Sequence, residues 1–223
     1  MDIDQEKIDF LQEKILEWYE ENGRHFPWRN ESATNYERII SEVLLQRTRA
    51  ETVANFYPKF IKEYPSWKQL GKATEKELQQ ALKPIGLYKQ RGTRLYKLAQ
   101  EMKERKGRFP VKRDRVEEMS MMGQYIANAY ELFILKNPSP LLDVNMARVL
   151  ERFFGERKLA DIRYDPYLQE LSQKIVNHPN AKEINWAVLD FGGLICTKRN
   201  PACKDCILNK RCNYFESPSF EFK

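Results

Sequence analysis

Residues 196–212 read CTKRNPACKDCILNKRC, and this stretch contains every cysteine of the chain. The thiols have the spacing Cys-x6-Cys-x2-Cys-x5-Cys and belong to Cys196, Cys203, Cys206 and Cys212. Pro201 and the neighbouring lysines and arginines are typical of a surface loop, which argues against four unrelated core cysteines. The clustering therefore predicts a metal centre that is bound by one short loop.

Two kinds of metal centre fit four thiolates. Zinc sites usually contain two tight Cys-x2-4-Cys hooks, and here only Cys203 and Cys206 form such a hook. The intervals of six and five residues let one segment reach all corners of a larger object. A [4Fe–4S] cluster is such an object, and its usual ligands are four thiolates. The spacing favours the cluster and leaves zinc open.

The composition indicates an intracellular globular protein. The chain has 223 residues, of which 42% are hydrophobic and 31% charged, enough for one large domain or two small ones. A formal charge of +6 fits a nucleic-acid partner but also many other proteins. The N-terminus is acidic, and no stretch approaches the ~18 to 20 apolar residues of a membrane span. We expect a cytoplasmic protein, nucleoid-associated if prokaryotic, with reduced thiols and no membrane partner.

The hydrophobic pattern predicts an all-α protein. Apolar residues recur every three or four positions in the stretches that begin at Ile8, Val53 and Leu95. Alternating strand patterns and Asn-Gly hairpins are absent from the sequence. No repeat or flexible linker separates domains, so the helices are expected to follow one another through short loops.

Three capping signals predict where helices begin. Thr74 begins the motif TEKE, in which a threonine caps the helix and a glutamate reaches back. Thr48 is followed by Glu51 in TRAE, which predicts the same kind of cap for the helix that contains Val53. Asp165 precedes a proline at the first helical position, which is a typical helix start.

Four further stretches, taken with the cysteine loop, resemble one family in order and position. They are GRHFPWR at 23–29, SEVLLQRT at 41–48, MSMMGQY at 119–125 and LLDVNMARV at 141–149. Together they resemble the endonuclease III-like helix–hairpin–helix DNA glycosylases with an iron–sulfur loop. The similarity is greatest to the mismatch-specific thymine/adenine branch.

The resemblance implies a two-lobed, all-α fold. Residues 27–137 would form a six-helix barrel lobe, with the helix–hairpin–helix near 115–130. Residues 1–26 and 138–223 would form the iron–sulfur cluster lobe. The four cysteines would then bind a [4Fe–4S] cluster, which holds a loop whose Lys198 and Arg199 contact DNA phosphates.

The resemblance also places Asp143 at the catalytic aspartate of the family. Such enzymes flip a base out of the duplex and cleave its N-glycosidic bond, which builds positive charge on the sugar. A carboxylate that faces this charge stabilises the transition state. Because Asp143 directly precedes an apolar helical pattern, a plain helix N-cap is the alternative role.

Two more positions are implied to act on the flipped base. Bifunctional family members have a lysine where this chain has Tyr125, and a tyrosine cannot form a Schiff base with the sugar. The chain is therefore expected to release a base without cleaving the strand. Glu42 matches the glutamate that protonates the departing purine in the adenine-removing branch, but the thymine-removing branch has a glutamate there too.

The remaining implied contacts are with the DNA. Gln46 and Arg47 resemble residues that fill the gap left by the flipped base and contact its orphaned partner. Gly123 and Gln124 belong to the hairpin that presents backbone amides to a phosphate. The hairpin departs from the usual Leu-Pro-Gly-Val-Gly, since Ser120 replaces the proline and Met121 the first glycine. These changes predict crowding at the phosphate or a different turn.

The implied function is that of a monofunctional base-excision-repair glycosylase. We expect a monomer that removes thymine or uracil opposite guanine from double-stranded DNA with a mismatched or damaged base. IGLYKQR at 85–91 and Arg47 favour this substrate, and the chain stops eleven residues after Cys212, so no oxidised-guanine-reading domain is expected. Adenine removal is the alternative. A non-catalytic zinc-containing DNA-binding protein and an iron–sulfur electron carrier are alternatives of other classes.

Overall fold

A computed structural model describes residues 4–217 and confirms the all-α prediction, because no strand is found in that range. The helices are α1 Gln5–Asn22, α2 Asn35–Leu45, α3 Ala50–Glu63, α4 Trp67–Leu70, α5 Glu75–Ala81, α6 Tyr88–Glu104, α7 Arg113–Glu117, α8 Gln124–Tyr130, α9 Val144–Phe154, α10 Pro166–Val176, α11 Ala181–Leu194 and α12 Asn213–Glu216. Short 3₁₀ turns lie at Pro27–Arg29, Lys83–Ile85 and Asn209–Arg211, and a π-helical segment at Glu131–Leu135. Within residues 4–217 no helix combines the length and hydropathy that crossing a bilayer requires.

Two of the three predicted helix caps are confirmed. Thr74 accepts a hydrogen bond from the Glu77 backbone N–H, and the Glu77 carboxylate accepts one from the Thr74 N–H at 2.7 Å, which completes a capping box. Asp165 caps α10 by accepting from the Leu168 N–H at 2.8 Å, with Pro166 at the first helical position. Local sequence suffices at both places because the partner that forms each helix cap lies three residues away.

The prediction for Thr48 is wrong. Helix α3 begins at Ala50, its N-cap residue is Arg49, and no side chain caps it. The Thr48 hydroxyl instead accepts a hydrogen bond from the Arg91 guanidinium at 2.6 Å. The oxygen that the local motif predicts to cap the helix is therefore bonded to a residue 43 positions away in sequence.

The chain divides into two compact units, and His25–Ile134 forms one of them. Its core includes fully buried side chains of α2 to α5 and of the residue that follows α5, namely Ile39, Ile40, Leu44, Phe60, Leu70, Leu78 and Leu82. Helix α5 packs along α6, and Gly92 permits the close approach because an added Cβ would lie 2.4 Å from Gln79 Cγ. Helices α7 and α8 form the hairpin of this unit.

The other unit comprises the residues up to Arg24 together with those from Leu135 onward. Helices α1 and α9 pack on α11, and the core includes the fully buried Ile8, Leu11, Ile15, Phe153 and Phe191. Each such side chain contributes about 1.5–3 kcal/mol by leaving water. Residues 1–3 and 218–223, which the sequence prediction assigned to the second lobe, lie outside the described part of the chain.

Candidate functional site

Asp143 is the N-cap of α9, so the capping role foreseen as its alternative is present. Its Oδ1 accepts from the backbone N–H groups of Asn145 and Met146, each at 2.8 Å. Its Oδ2 accepts from the Asn145 side-chain amide at 2.8 Å. These three hydrogen bonds fix the orientation of a half-buried carboxylate. A cap of this kind also holds the carboxylate ready to stabilise a positive charge.

Burial governs the electrostatics of Asp143. Removal from water raises the pKa of this carboxyl above its ordinary value. The hydrogen bonds from Met146 and Asn145, and the charge of Arg148, act against this increase. The poorly solvated carboxylate favours a cation placed against it, while the positive end of the helix dipole stabilises the carboxylate itself.

Asn145 and Arg148 extend the site, and the sequence analysis missed both. Arg148 donates to the Asn145 side-chain oxygen at 3.0 Å, to the Gly192 carbonyl at 2.6 Å and to the Cys196 carbonyl at 2.7 Å. A hydrogen-bonded chain therefore runs from Asp143 through both side chains to the first cysteine of the loop. Their three-residue spacing within the quoted motif LLDVNMARV was the available signal, since residues i and i+3 share a helix face.

A buried amide supports the segment that leads into Asp143. Asn185 on α11 is fully buried, and its side-chain oxygen accepts from the Leu141 N–H at 2.6 Å. Its amide nitrogen donates to the carbonyls of Ser139 at 3.2 Å and Ala181 at 2.9 Å. All of these groups are polar and buried in a satisfied network, which rigidifies the approach to the cap.

Glu42 and Tyr125 are brought together, although 83 residues separate them in sequence. The Tyr125 hydroxyl donates to Glu42 Oε2 at 3.1 Å. Glu42 lies on α2 and is only 4% exposed, whereas Tyr125 on α8 is half-buried. The pair is a hydrogen-bonded acid and phenol within one unit, which suits contact with a polar planar ligand.

The turn after α2 presents Arg47 to solvent. Its backbone has φ +58°, the left-handed region that a residue with a side chain seldom adopts. The Gln46 side chain does not project freely, because its amide donates to the Met121 carbonyl at 3.1 Å. This bond links the turn to the hairpin of the same unit.

The hairpin accommodates its two departures from the family pattern through its backbone conformation and through hydrogen bonds. Met121 adopts φ +66°, the conformation that a glycine would take readily, and its side chain is 4% exposed. Ser120 makes bonds that a proline cannot make: its N–H donates to the Glu101 carboxylate at 3.3 Å and its hydroxyl to the Arg94 carbonyl at 2.9 Å. The crowding or the different turn that these changes predict concerns a bound phosphate, so it stays a prediction.

Gly123 leaves open space at the start of α8. A Cβ added there would meet no heavy atom within 4 Å, so packing within the protein does not require a glycine. The following residue, Gln124, begins the helix and is half-buried. An exposed helix N-terminus with an unobstructed backbone suits the approach of an anion such as a phosphate.

Leu87 is another residue that the sequence analysis did not single out. It is 53% exposed and has φ +51° directly before α6. A leucine in the left-handed region that projects into water is a backbone outlier, which makes it a candidate contact residue. The motif IGLYKQR, already noted for its resemblance, contained the signal.

All four cysteines line one cavity, together with apolar residues such as Phe153 and Phe191. Burial raises the pKa of the Cys206 thiol to about 11, and the same cause raises the pKa of Cys203 and Cys212. Four convergent thiols agree in number and type with the ligand set of a [4Fe–4S] cluster. Within residues 4–217 no group of three or more His, Cys, Asp or Glu residues is arranged to hold a metal ion.

The cysteine loop carries an exposed cationic surface. Arg152 holds the loop by donating to the Thr197 carbonyl at 2.8 Å and the Lys198 carbonyl at 3.3 Å. The side chains of Lys198 and Arg199 are exposed beside a cleft of about 1160 Å³ that Lys158 also lines. These basic groups on an anchored loop suit sequence-independent phosphate contacts.

Comparison with known proteins identifies the family. The family model of the HhH-GPD superfamily base excision DNA repair proteins matches residues 40–163. The chain belongs to this superfamily, which confirms the resemblance found in the sequence. A thermostable thymine-DNA glycosylase of known structure superposes with a TM-score of 0.86 at 30% identity, covering 95% of this chain and 97% of that one.

Curated relatives include proteins named for different bases. A thymine-DNA glycosylase of Aeropyrum pernix is 35% identical, covering 96% of this chain and 98% of its own length. A thymine/uracil-DNA glycosylase of Pyrobaculum aerophilum is 34% identical, with 92% of both chains covered. An adenine DNA glycosylase of Buchnera aphidicola is 31% identical over 89% of this chain and 57% of its own length.

The anchoring of Ser120 yields a stability prediction. Ser120→Pro restores the usual family residue, yet we expect it to lower the free energy of unfolding by about 1–3 kcal/mol. The reason is that proline removes the N–H donor to Glu101 and the hydroxyl donor to Arg94. Urea unfolding measures the change.

Two controls separate these bonds. Ser120→Ala removes only the hydroxyl and should cost about 1 kcal/mol. In a Glu101→Ala background, Ser120→Pro should cost less than in the parent, because the acceptor is already absent. A Ser120→Pro protein as stable as the parent would show that both bonds are energetically neutral.

Proposed function

We propose that this protein is a DNA glycosylase that releases thymine or uracil opposite guanine and leaves an abasic site. The observation that carries the proposal is the Asp143 carboxylate, held by three hydrogen bonds and raised in pKa by burial. Support for the substrate comes from the relatives named for thymine and uracil, which match this chain over at least 92% of their length. Double-stranded DNA with a mispaired base is the proposed partner, and the monomer the proposed active form.

Asp143 is proposed to act on the sugar of the flipped nucleotide. As the N-glycosidic bond breaks, positive charge develops on the sugar ring, and the carboxylate stabilises it. Because the hydrogen bonds from Asn145 and Met146 orient the carboxylate in advance, little reorganisation is required during the reaction. A water molecule then adds to the sugar, which completes hydrolysis.

Glu42 and Tyr125 are proposed to contact the extrahelical base. The Tyr125 hydroxyl holds Glu42 at 3.1 Å, so the two side chains form one polar surface for a base edge. Tyr125 supplies no amine, so it cannot form an imine with the sugar, and a monofunctional reaction follows. A mispaired base is already weakly held in the duplex, which reduces the cost of flipping it.

Binding to the duplex is proposed to use both units. Within His25–Ile134, Gly123 and Gln124 offer the amides of α8 to a phosphate, while Arg47 and Leu87 reach the disrupted base pair. The guanidinium of Arg47 has the donors that the acceptor edges of guanine require. In the other unit, the basic residues of the cysteine loop contact phosphates.

Cys196, Cys203, Cys206 and Cys212 are proposed to bind a [4Fe–4S] cluster. When bound, it would supply a rigid cross-link of the loop rather than a chemical step at the sugar. Two arginines of α9 position the loop as well, since Arg148 donates to the Cys196 carbonyl and Arg152 to the Thr197 carbonyl.

Adenine release is the second candidate. It is favoured by the similarity to adenine DNA glycosylases, among them the one from Buchnera aphidicola. In that case Glu42 would protonate the departing purine, and its substitution by glutamine would be as damaging as loss of Asp143.

The test of the proposal is base release across all mismatched pairs. Duplexes with thymine or uracil opposite guanine should yield abasic sites that break only with heat or alkali. Borohydride should trap no covalent complex, because Tyr125 has no amine. Release of adenine alone would establish the second candidate, and efficient trapping would require a different nucleophile, such as Lys112.

The role of Asp143 is tested by Asp143→Asn. Asparagine is an equally favoured N-cap, so we expect similar stability and DNA affinity but a loss of base release by about 100-fold or more. An Asp143→Asn enzyme with a normal rate would leave Asp143 only its capping role.

The double substitution Lys198→Ala and Arg199→Ala should have the opposite effect. It should weaken binding to every duplex, with little change in the rate of base release from bound complexes.

The raised pKa of Asp143 predicts the acid limb of the pH profile. The ionised carboxylate is the active form, so the single-turnover rate should fall as the pH decreases through its pKa. Because burial raises this pKa, the decline should begin above the value of an exposed aspartate, about 3.9. The same rate in Asp143→Asn should lack this limb, and a midpoint at or below 3.9 would contradict the argument.

Metal analysis tests the cluster. Protein purified without air should contain about four iron and four sulfide per chain, with visible absorption that disappears when the iron is removed. Cys206→Ser should reduce the iron content and weaken DNA binding. Stoichiometric zinc with negligible iron would show that the four cysteines bind zinc and not a cluster.

A further inference from the structure

Arg91 is a buried arginine whose hydrogen-bond acceptors are all uncharged. It lies on α6 in the unit His25–Ile134 and is only 6% exposed. Its guanidinium donates to the Gln46 carbonyl, to Thr48 Oγ1 at 2.6 Å and to the Ile85 carbonyl at 3.4 Å. Within residues 4–217 it therefore has dipoles as partners and no carboxylate.

This arrangement is expensive for the fold. Burying a cation without an opposite charge carries a desolvation penalty that hydrogen bonds to dipoles only partly offset. Burial lowers the pKa of Arg91, and the nearby charge of Arg47 lowers it further, although a guanidinium stays protonated in proteins. An apolar residue of similar length would fill the same space without this cost.

The hydrogen bonds of Arg91 lie on both sides of Arg47, which is the strained residue of this turn. The Gln46 carbonyl and the Thr48 hydroxyl lie on either side of Arg47, and a single nitrogen of Arg91 binds both. Arg47 has φ +58°, a conformation that costs a non-glycine residue energy and needs support from its surroundings. The guanidinium supplies this support directly at the flanking groups.

The same turn is connected to the hairpin. Gln46 donates its side-chain amide to the Met121 carbonyl at 3.1 Å, so the position of the turn and that of the hairpin loop are set together. Arg91 therefore holds the turn that carries the exposed Arg47, and this turn is bonded to a second element of the same unit.

We propose that Arg91 is a positioning residue for opposite-base recognition, holding the turn Gln46–Thr48 so that Arg47 can read the orphan guanine. This rests on the proposed function, in which Arg47 contacts that guanine. Arg91 itself is buried and touches neither the base nor the sugar. Replacing Arg91 should therefore affect the discrimination between opposite bases more than it affects the free energy of unfolding or the rate of base release.

The test measures binding without catalysis. Duplexes carry a tetrahydrofuran abasic analogue opposite either guanine or adenine. Fluorescence anisotropy gives the dissociation constant of each, and the ratio is that for adenine divided by that for guanine. The parent should prefer guanine, and Arg91→Met should reduce the preference roughly tenfold, toward that of Arg47→Ala. The double substitution should lower the ratio no further, because both changes remove the same contact.

Matched variants distinguish positioning from general damage. Arg94→Met makes the same chemical change at an exposed position of the same helix and should leave the ratio unchanged. Arg91→Lys keeps a charge and donors, so it should restore part of the preference. If Arg91→Met does not fold, the comparison of Arg91→Lys with the parent decides the matter.

The outcomes separate this inference from the proposed function. An unchanged ratio in Arg91→Met and Arg91→Lys, or an equal loss of affinity for both duplexes, would overturn the inference. A parent that binds both duplexes alike would also overturn it. Base release from thymine or uracil opposite guanine is measured separately, so the proposed reaction can fail while the binding preference and its dependence on Arg91 remain.

Discussion

Two arginines one helical turn apart on α9 determine how the cysteine loop meets the helix that begins at Asp143. Arg148 binds the carbonyls of Gly192 and Cys196, and Arg152 binds those of Thr197 and Lys198. Carbonyl groups in such a loop cannot pair among themselves, so the guanidinium donors satisfy what would otherwise be unpaired backbone. The exposed basic surface of the loop and the fixed carboxylate consequently belong to one hydrogen-bonded assembly.

Four of the six non-glycine residues with positive φ among residues 4–217 lie in the unit His25–Ile134. Arg47, Leu87 and Met121 all have positive φ and none is a glycine. Each is supported differently: Arg91 holds the groups that flank Arg47, Leu87 precedes the first turn of α6, and Met121 buries its side chain in the core. Strained residues that persist at exposed turns are characteristic of binding sites, where the surrounding fold provides the energy.

In the proposed function, Asp143 combines a structural role and a chemical role in one side chain. Helix capping requires an oxygen that accepts from the first free N–H groups, and charge stabilisation requires an oriented carboxylate. The cap satisfies both requirements with the same atoms. The sequence pattern alone favoured the cap, and the family resemblance indicated the catalytic position.

The sequence by itself determined the helical class, the family and those helix starts whose partners are local, such as Thr74 and Asp165. It also marked Asp143 and the four cysteines through motif and spacing. Only the tertiary structure decided that Thr48 pairs with Arg91 instead of capping α3, that Tyr125 donates to Glu42, and that Arg148 reaches Cys196. These partners lie 43 to 83 residues apart, and helical periodicity describes only neighbours three or four residues away. Long-range pairs of polar groups are set by how helices pack, which no local pattern encodes.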